Sequence, residues 1–176
     1  MRLPLVAVWA VLSIAARLAC AAGPISDALS PPPGLKRVLE AKATGVQIYR
    51  CSVPKSAPGG AMDASTGAWM LEAPRATLTD RQGKVVGKHY AGPTWEAADG
   101  SKITGKVAAR ADAPKPGAIP WLLLTAETSG KPGRFDQVRA VQRVFTAGGS
   151  PPHHACEHPD EVLEVPYRAV YVFWAQ

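Results

Sequence analysis

The chain has 176 residues, of which 20 are lysine or arginine and 14 are aspartate or glutamate, giving a net charge of +6. This length is that of one ordinary domain. The basic residues are scattered and form no block with interleaved aromatic residues, so we predict no nucleic-acid partner.

The N-terminus has the layout of a secretory signal peptide. Arg2 precedes an almost wholly apolar run over residues 3–16, and the small residues at 19–21 fit signal peptidase. The apolar run is about 14 residues long, whereas a membrane-spanning helix needs ~20. We therefore predict that residues 1–21 are removed, that the mature chain has no membrane span, and that it is secreted or periplasmic. Lipidation at Cys20 is the weaker alternative, because Arg17 occupies a position that favours an aliphatic residue.

Two cysteines remain after the signal peptide, Cys51 and Cys156. An even pair in an exported chain favours a disulfide over two unpaired buried thiols. We predict that the two cysteines are joined.

The next residues, 22–43, are predicted as a proline-rich leader and a first short element. Three consecutive prolines at 31–33 favour extended, solvated backbone in the leader. The short element after them fits either two helical turns or a short strand.

Residues 44–176 are predicted as a single β domain. Strand patterns recur at residues 45–51, 69–71, 76–79, 84–86 and 138–146, and turn residues at 80–83 and 99–100 indicate two hairpins. The continuous apolar runs at 119–125 and 167–174 are predicted to be covered on both faces. We expect an all-β fold, either a single antiparallel β-sandwich or a closed β-barrel, with long proline- and glycine-rich loops.

Several blocks of this sequence occur together in a known family. They are residues 45–51, 89–96, 99–101, 119–124, 141–144, 146–149 and 166–167, together with Cys156. In this order they resemble the exported bacterial and fungal family labelled domain of unknown function 3455, over residues 45–174. The resemblance implies an exported β-rich domain, and it places both cysteines in family blocks.

The densest group of aromatic and ionisable residues lies between residues 89 and 101. His89, Tyr90, Trp95 and Glu96 are candidates for binding a sugar or another flat ligand. In the alternative interpretation, His89 works with Glu96 and Asp99 as acid–base groups. A third interpretation is structural, with Trp95 filling the core. Exposure of Trp95 would indicate a binding platform, and a cleft that joins His89 to a carboxylate would indicate catalysis.

Two further groups are weaker candidates. His153, His154 and His158 are residue types that bind copper or zinc, but a disulfide at Cys156 removes the thiolate, so we predict no metal site. Ser101 lacks the Gly-x-Ser-x-Gly context of a serine nucleophile, and we expect it to complete a turn.

These patterns favour an exported domain that acts as a non-enzymatic binding or surface module. Its expected partner is a small molecule, a glycan or a surface protein, and no cofactor is predicted. The alternative is an enzyme acting on an extracellular carbohydrate or small molecule.

Overall fold

The structure is a computed structural model that describes residues 24–53 and 67–176. In these residues eight antiparallel strands form a closed barrel in which each strand pairs with the next and β8 pairs with β1. The all-β prediction is confirmed, and of its two forms the chain adopts the barrel. The strands are β1 (Lys36–Ser52), β2 (Ala68–Thr79), β3 (Val85–Tyr90), β4 (Thr94–Ala97), β5 (Ser101–Ala111), β6 (Trp121–Gly130), β7 (Val138–Gly148) and β8 (Val162–Ala175). The predicted signal peptide lies outside the described residues.

The first strand crosses the boundary predicted at residue 43. The short element and the strand predicted after it are one continuous strand, because β1 pairs with β8 from Lys36 to Arg50 and with β2 from Lys42 to Ser52. The candidates at residues 69–71 and 76–79 are likewise one strand, β2. Long-range pairing on both edges extends the strands beyond what local composition indicates.

The turn end of the barrel is filled with apolar side chains. We use this name for the end that carries residues 80–84, 98–100 and 131–137. Alanines on β1 leave room for the large rings of Trp95, Phe135 and Phe173, which are all buried in one cluster. Alternation of small and large residues is how a narrow barrel fills its interior. The turns at 80–84 and 98–100 are the two hairpins predicted from sequence.

The N-terminal segment covers the outside of the barrel. A short 3-10 turn, Asp27–Leu29, places Leu29 in a buried outer cluster with Trp121 and Leu123. The amide of Gln142 donates to the carbonyl of Leu29 at 2.6 Å. The prediction of a solvated leader is therefore wrong for Leu29. The apolar run at 119–124 is covered on both faces as predicted, whereas Thr125 is exposed.

The opposite end, here called the loop end, carries residues 91–93, 112–120 and 149–161. Cys51 at the end of β1 forms the predicted disulfide with Cys156 of the last of these loops, and their Cα atoms are 5.7 Å apart. Gly67 lies against both sulfurs, where a Cβ would come within 2.8 Å of each. The described residues contain no helix long and apolar enough to span a membrane.

Candidate functional site

A cavity of about 540 Å³ opens at the loop end and reaches into the barrel. One part of its lining is polar and the other is apolar. The polar side chains are Gln47, Tyr49, Glu72, His89, Arg110, Arg143, Ser150 and Tyr171, and the apolar ones include Leu71, Trp95, Val107, Ile119, Leu122 and Leu124. A concave, mostly apolar site with a few polar groups is typical of small-molecule binding.

Strand alternation brings these residues together. His89 on β3 faces Trp95 on β4 as a register pair, and Arg143 on β7 faces Tyr171 on β8 in the same way. Because side chains alternate between the two sides of a strand, each pair lies on one face, which here is the interior.

His89 lies at the centre of this interior group and is 2% exposed. Its ring stacks on the indole of Trp95 with centroids 4.5 Å apart. It packs edge to face with the ring of Tyr171, with centroids 5.0 Å apart. Nδ1 lies 2.8 Å from the carbonyl oxygen of Thr94. Since a carbonyl oxygen only accepts, Nδ1 carries the proton and Nε2 is left with a lone pair.

Burial keeps the imidazole of His89 uncharged. Loss of solvation lowers its pKa from 6.5 to about 4, the hydrogen bond to Thr94 opposes this shift, and the positive charge of Arg143 adds to it. At neutral pH the side chain is therefore a neutral acceptor at Nε2 and a donor at Nδ1.

Two side chains that line the cavity have a buried polar atom with no hydrogen-bond partner among the described residues, Nε2 of Gln47 and Nε1 of Trp95. The buried hydroxyls of Tyr167 and Tyr171 lie close to each other, and the hydroxyl of Tyr171 also lies close to Arg143. Burial raises the pKa of both tyrosines, so their hydroxyls stay protonated. An unsatisfied buried polar group costs about 1–3 kcal/mol, and a ligand that bonded to these atoms would recover that energy.

Arg143 contributes a positive charge to the same space. Its Nε donates to the carbonyl of Pro120 at 3.0 Å, and no described carboxylate lies within ion-pair distance. Glu72, which also lines the cavity, is paired with Arg50 at 2.9 Å. The cavity therefore has a cation and no uncommitted carboxylate among the described residues.

The four ligand-binding candidates predicted from sequence are divided between the two faces of the sheet. His89 and Trp95 lie inside, whereas Tyr90 and Glu96 lie outside. The hydroxyl of Tyr90 donates to Glu96 at 2.8 Å, and Lys88 and Lys102 reach the same carboxylate at 3.3 and 3.4 Å. These contacts, the tyrosine first, lower the pKa of Glu96. Tyr90 and Glu96 thus form a separate, internally satisfied outer cluster.

The predicted acid–base group is also separated. Asp99 lies at the turn end, where its Oδ1 accepts from the hydroxyl of Ser101 at 2.7 Å and from the Ser101 amide at 3.0 Å. These bonds lower the pKa of Asp99 to about 2. Ser101 completes the turn, and neither Asp99 nor Glu96 lines the cavity that contains His89.

The three loop histidines, His153, His154 and His158, are exposed in the loop that carries the disulfide. In the part of the chain that the structure describes, no three histidine, cysteine, aspartate or glutamate side chains converge as a metal-binding group.

Sequence reasoning missed most of the polar lining, including Gln47, Tyr49, Arg143 and Tyr171. The available signal was the alternation within the predicted strands, where Gln47 and Tyr49 fall in phase with Cys51, and Tyr171 falls in phase with Phe173. Polar residues at inward positions of a barrel strand indicate an interior that is not filled by core packing alone.

The burial of His89 predicts a specific loss of stability in acid. An unfolded chain binds a proton at His89 below its usual pKa of 6.5, while the folded chain resists protonation until about 4. The resulting stabilisation is present above pH 6.5 and is lost as the pH falls, by about 3 kcal/mol at pH 4. Urea unfolding from pH 7 to pH 4 measures this loss.

A His89→Gln variant is the control for that measurement, and its unfolding free energy should fall less over the same range. The lowered pKa values of Asp99 and Glu96 also reduce stability in acid, but both carboxylates are present in the variant, so their contribution cancels in the comparison. Identical pH profiles for the variant and the natural protein would contradict the assignment.

A comparison with known proteins gives one match. No curated protein and no solved structure matches the chain significantly. The family model described as "Protein of unknown function (DUF3455)" matches residues 31–175, which is most of the chain and includes every strand of the barrel. The chain therefore belongs to the DUF3455 family, as the sequence blocks predicted.

Proposed function

We propose that this protein is a non-enzymatic binding module that takes a small organic molecule into the cavity at the loop end of its barrel. The observation that carries the proposal is a cavity of about 540 Å³ lined by buried polar atoms without partners at Gln47 and Trp95, with the buried Tyr171 hydroxyl and Arg143 beside them. A ligand with polar atoms at matching positions would satisfy them and gain affinity from doing so.

The arrangement favours binding over catalysis. General acid–base chemistry on a sugar or ester needs two titratable groups or a nucleophile with a base in reach. His89 has Thr94 as its hydrogen-bond partner, and the carboxylates of Glu96 and Asp99 are engaged elsewhere. The second candidate function is an enzyme acting on an extracellular carbohydrate or small molecule. It is favoured only by the lone pair on Nε2 of His89, which could accept a proton from a substrate.

The proposed place of action is the periplasm or the cell exterior. The disulfide supports this, because such bonds persist in oxidising compartments and are rare in reducing ones. The signal-peptide pattern of residues 1–21 points the same way.

Binding can be tested with N-phenyl-1-naphthylamine, an uncharged probe that fluoresces in apolar surroundings. We expect saturable binding to the natural protein. Val107→Trp adds bulk at the cavity mouth, where Val107 is 53% exposed, and should weaken binding by about ten-fold or more, equivalent to ~1.4 kcal/mol.

Val85→Trp is the matched control, since Val85 is 55% exposed on a strand and does not line the cavity. It should bind the probe like the natural protein. Absence of saturable binding, or equal weakening by both substitutions, would overturn the proposal.

A further inference from the structure

We propose that the ligand of this cavity is a small amphiphilic carboxylate, with its anionic group at Arg143 and its apolar part against the aliphatic wall. This inference rests on the proposed function, because it assigns a ligand class to the same cavity.

The polar side of the cavity is dominated by hydrogen-bond donors. Nε of Arg143 donates to Pro120, the guanidinium lies beside the Tyr171 hydroxyl, and no described carboxylate lies within ion-pair distance of it. The amide nitrogen of Gln47 is a donor by nature, and the Tyr171 hydroxyl remains protonated. A carboxylate offers only acceptors, and charge-assisted bonds to guanidinium are the strongest hydrogen bonds a side chain makes.

The positive charge in this space is not cancelled. Arg143 has no ion-pair partner in residues 24–53 and 67–176, and Arg110 adds a second guanidinium at the cavity wall. Glu72 lines the cavity, but its carboxylate is held by two hydrogen bonds to Arg50, at 3.0 and 3.1 Å. An anion entering the mouth therefore meets a net positive lining.

The rest of the lining is suited to an apolar body. Leu122 and Leu124 of β6 lie on one wall, and Leu71 and Val107 are exposed at the mouth although their side chains are aliphatic. Apolar ligand surface that is buried against these side chains is removed from water, which favours binding. A ligand that is charged at one end and apolar at the other matches both parts of the cavity.

His89 is compatible with such a ligand. Its Nε2 is an acceptor at neutral pH, so it does not bond to a carboxylate but can accept from a hydroxyl elsewhere on the ligand. The carboxylate is accordingly assigned to the side of Arg143 and Tyr171, which are register partners on β7 and β8.

The test is displacement of N-phenyl-1-naphthylamine by octanoate and by 1-octanol, which share an eight-carbon body. A purely apolar pocket would favour the alcohol or show no preference. We expect octanoate to displace the probe at a concentration at least about ten-fold lower than octanol does, as a charge-assisted hydrogen bond predicts.

The variant Arg143→Met removes the guanidinium and keeps an extended side chain, and it should abolish the preference for octanoate. Arg143→Lys keeps the charge and should retain part of the preference, which guards against loss of folding in the methionine variant. Arg168→Met is the matched control, because Arg168 is exposed on β8 and does not line the cavity.

The outcomes separate the two proposals. Probe binding that Val107→Trp blocks would support the binding module. If octanol then competes as well as octanoate, or if Arg143→Met leaves the preference for octanoate intact, only the carboxylate assignment is overturned. If the probe does not bind the natural protein, both are overturned.

Discussion

Removal of the Cys51–Cys156 disulfide is expected to lower the free energy of unfolding by about 4–5 kcal/mol. The bond joins residues 105 apart in sequence, so it restricts the unfolded chain over most of the barrel. The loop after Cys156 keeps its backbone hydrogen bonds to Cys51, through Asp160 and Glu161, so the expected effect acts mainly through the unfolded chain. A loss of this size approaches the whole net stability of a small domain.

The measurement is urea unfolding of the oxidised natural protein and of the double variant Cys51→Ala, Cys156→Ala, which leaves no free thiol. The natural protein after reduction is the control, and its unfolding midpoint should move towards that of the variant. A difference below about 1 kcal/mol would contradict the expected entropic effect of a loop this long.

Much of the fold follows from local patterns. Alternating residues and turn residues such as Asp99-Gly100 specify strands and hairpins, and the even pair of cysteines specifies the disulfide. The choice between a sandwich and a barrel does not follow in this way. It depends on pairing between β1 and β8, at opposite ends of the chain, and no local pattern reports that pairing.

The candidate site was only half predictable for a related reason. Proximity in sequence grouped His89 and Trp95 with Tyr90 and Glu96, although a strand sends such neighbours to opposite faces. Counting positions would have separated them. Counting alternate positions along β7 does not identify Arg143 as an inward-facing residue. The strand is irregular on both sides of it, between Val138 and Ala140 and between Val144 and Ala147. Each irregularity of this kind changes the face that later residues present.

Trp95→Ala is expected to lower the free energy of unfolding by about 3–5 kcal/mol, the usual range for truncating a buried aromatic residue. The indole is 1% exposed. Its ring centroid lies 4.5, 5.5 and 6.3 Å from the ring centroids of His89, Tyr171 and Phe173, respectively. It also lies against Gly105, where a Cβ would come within 2.8 Å of the ring. This environment assigns Trp95 to the wall between the core and the cavity, not to an exposed platform.

Thermal and urea unfolding of three variants would decide the matter. Trp95→Phe keeps an aromatic ring beside His89 and should lose less stability than Trp95→Ala, because the cavity it leaves is smaller. Val85→Ala, at an exposed position, should stay within about 0.5 kcal/mol of the natural protein. A loss below about 1 kcal/mol for Trp95→Ala, together with loss of probe binding, would instead make Trp95 a ligand platform that the barrel does not need for folding.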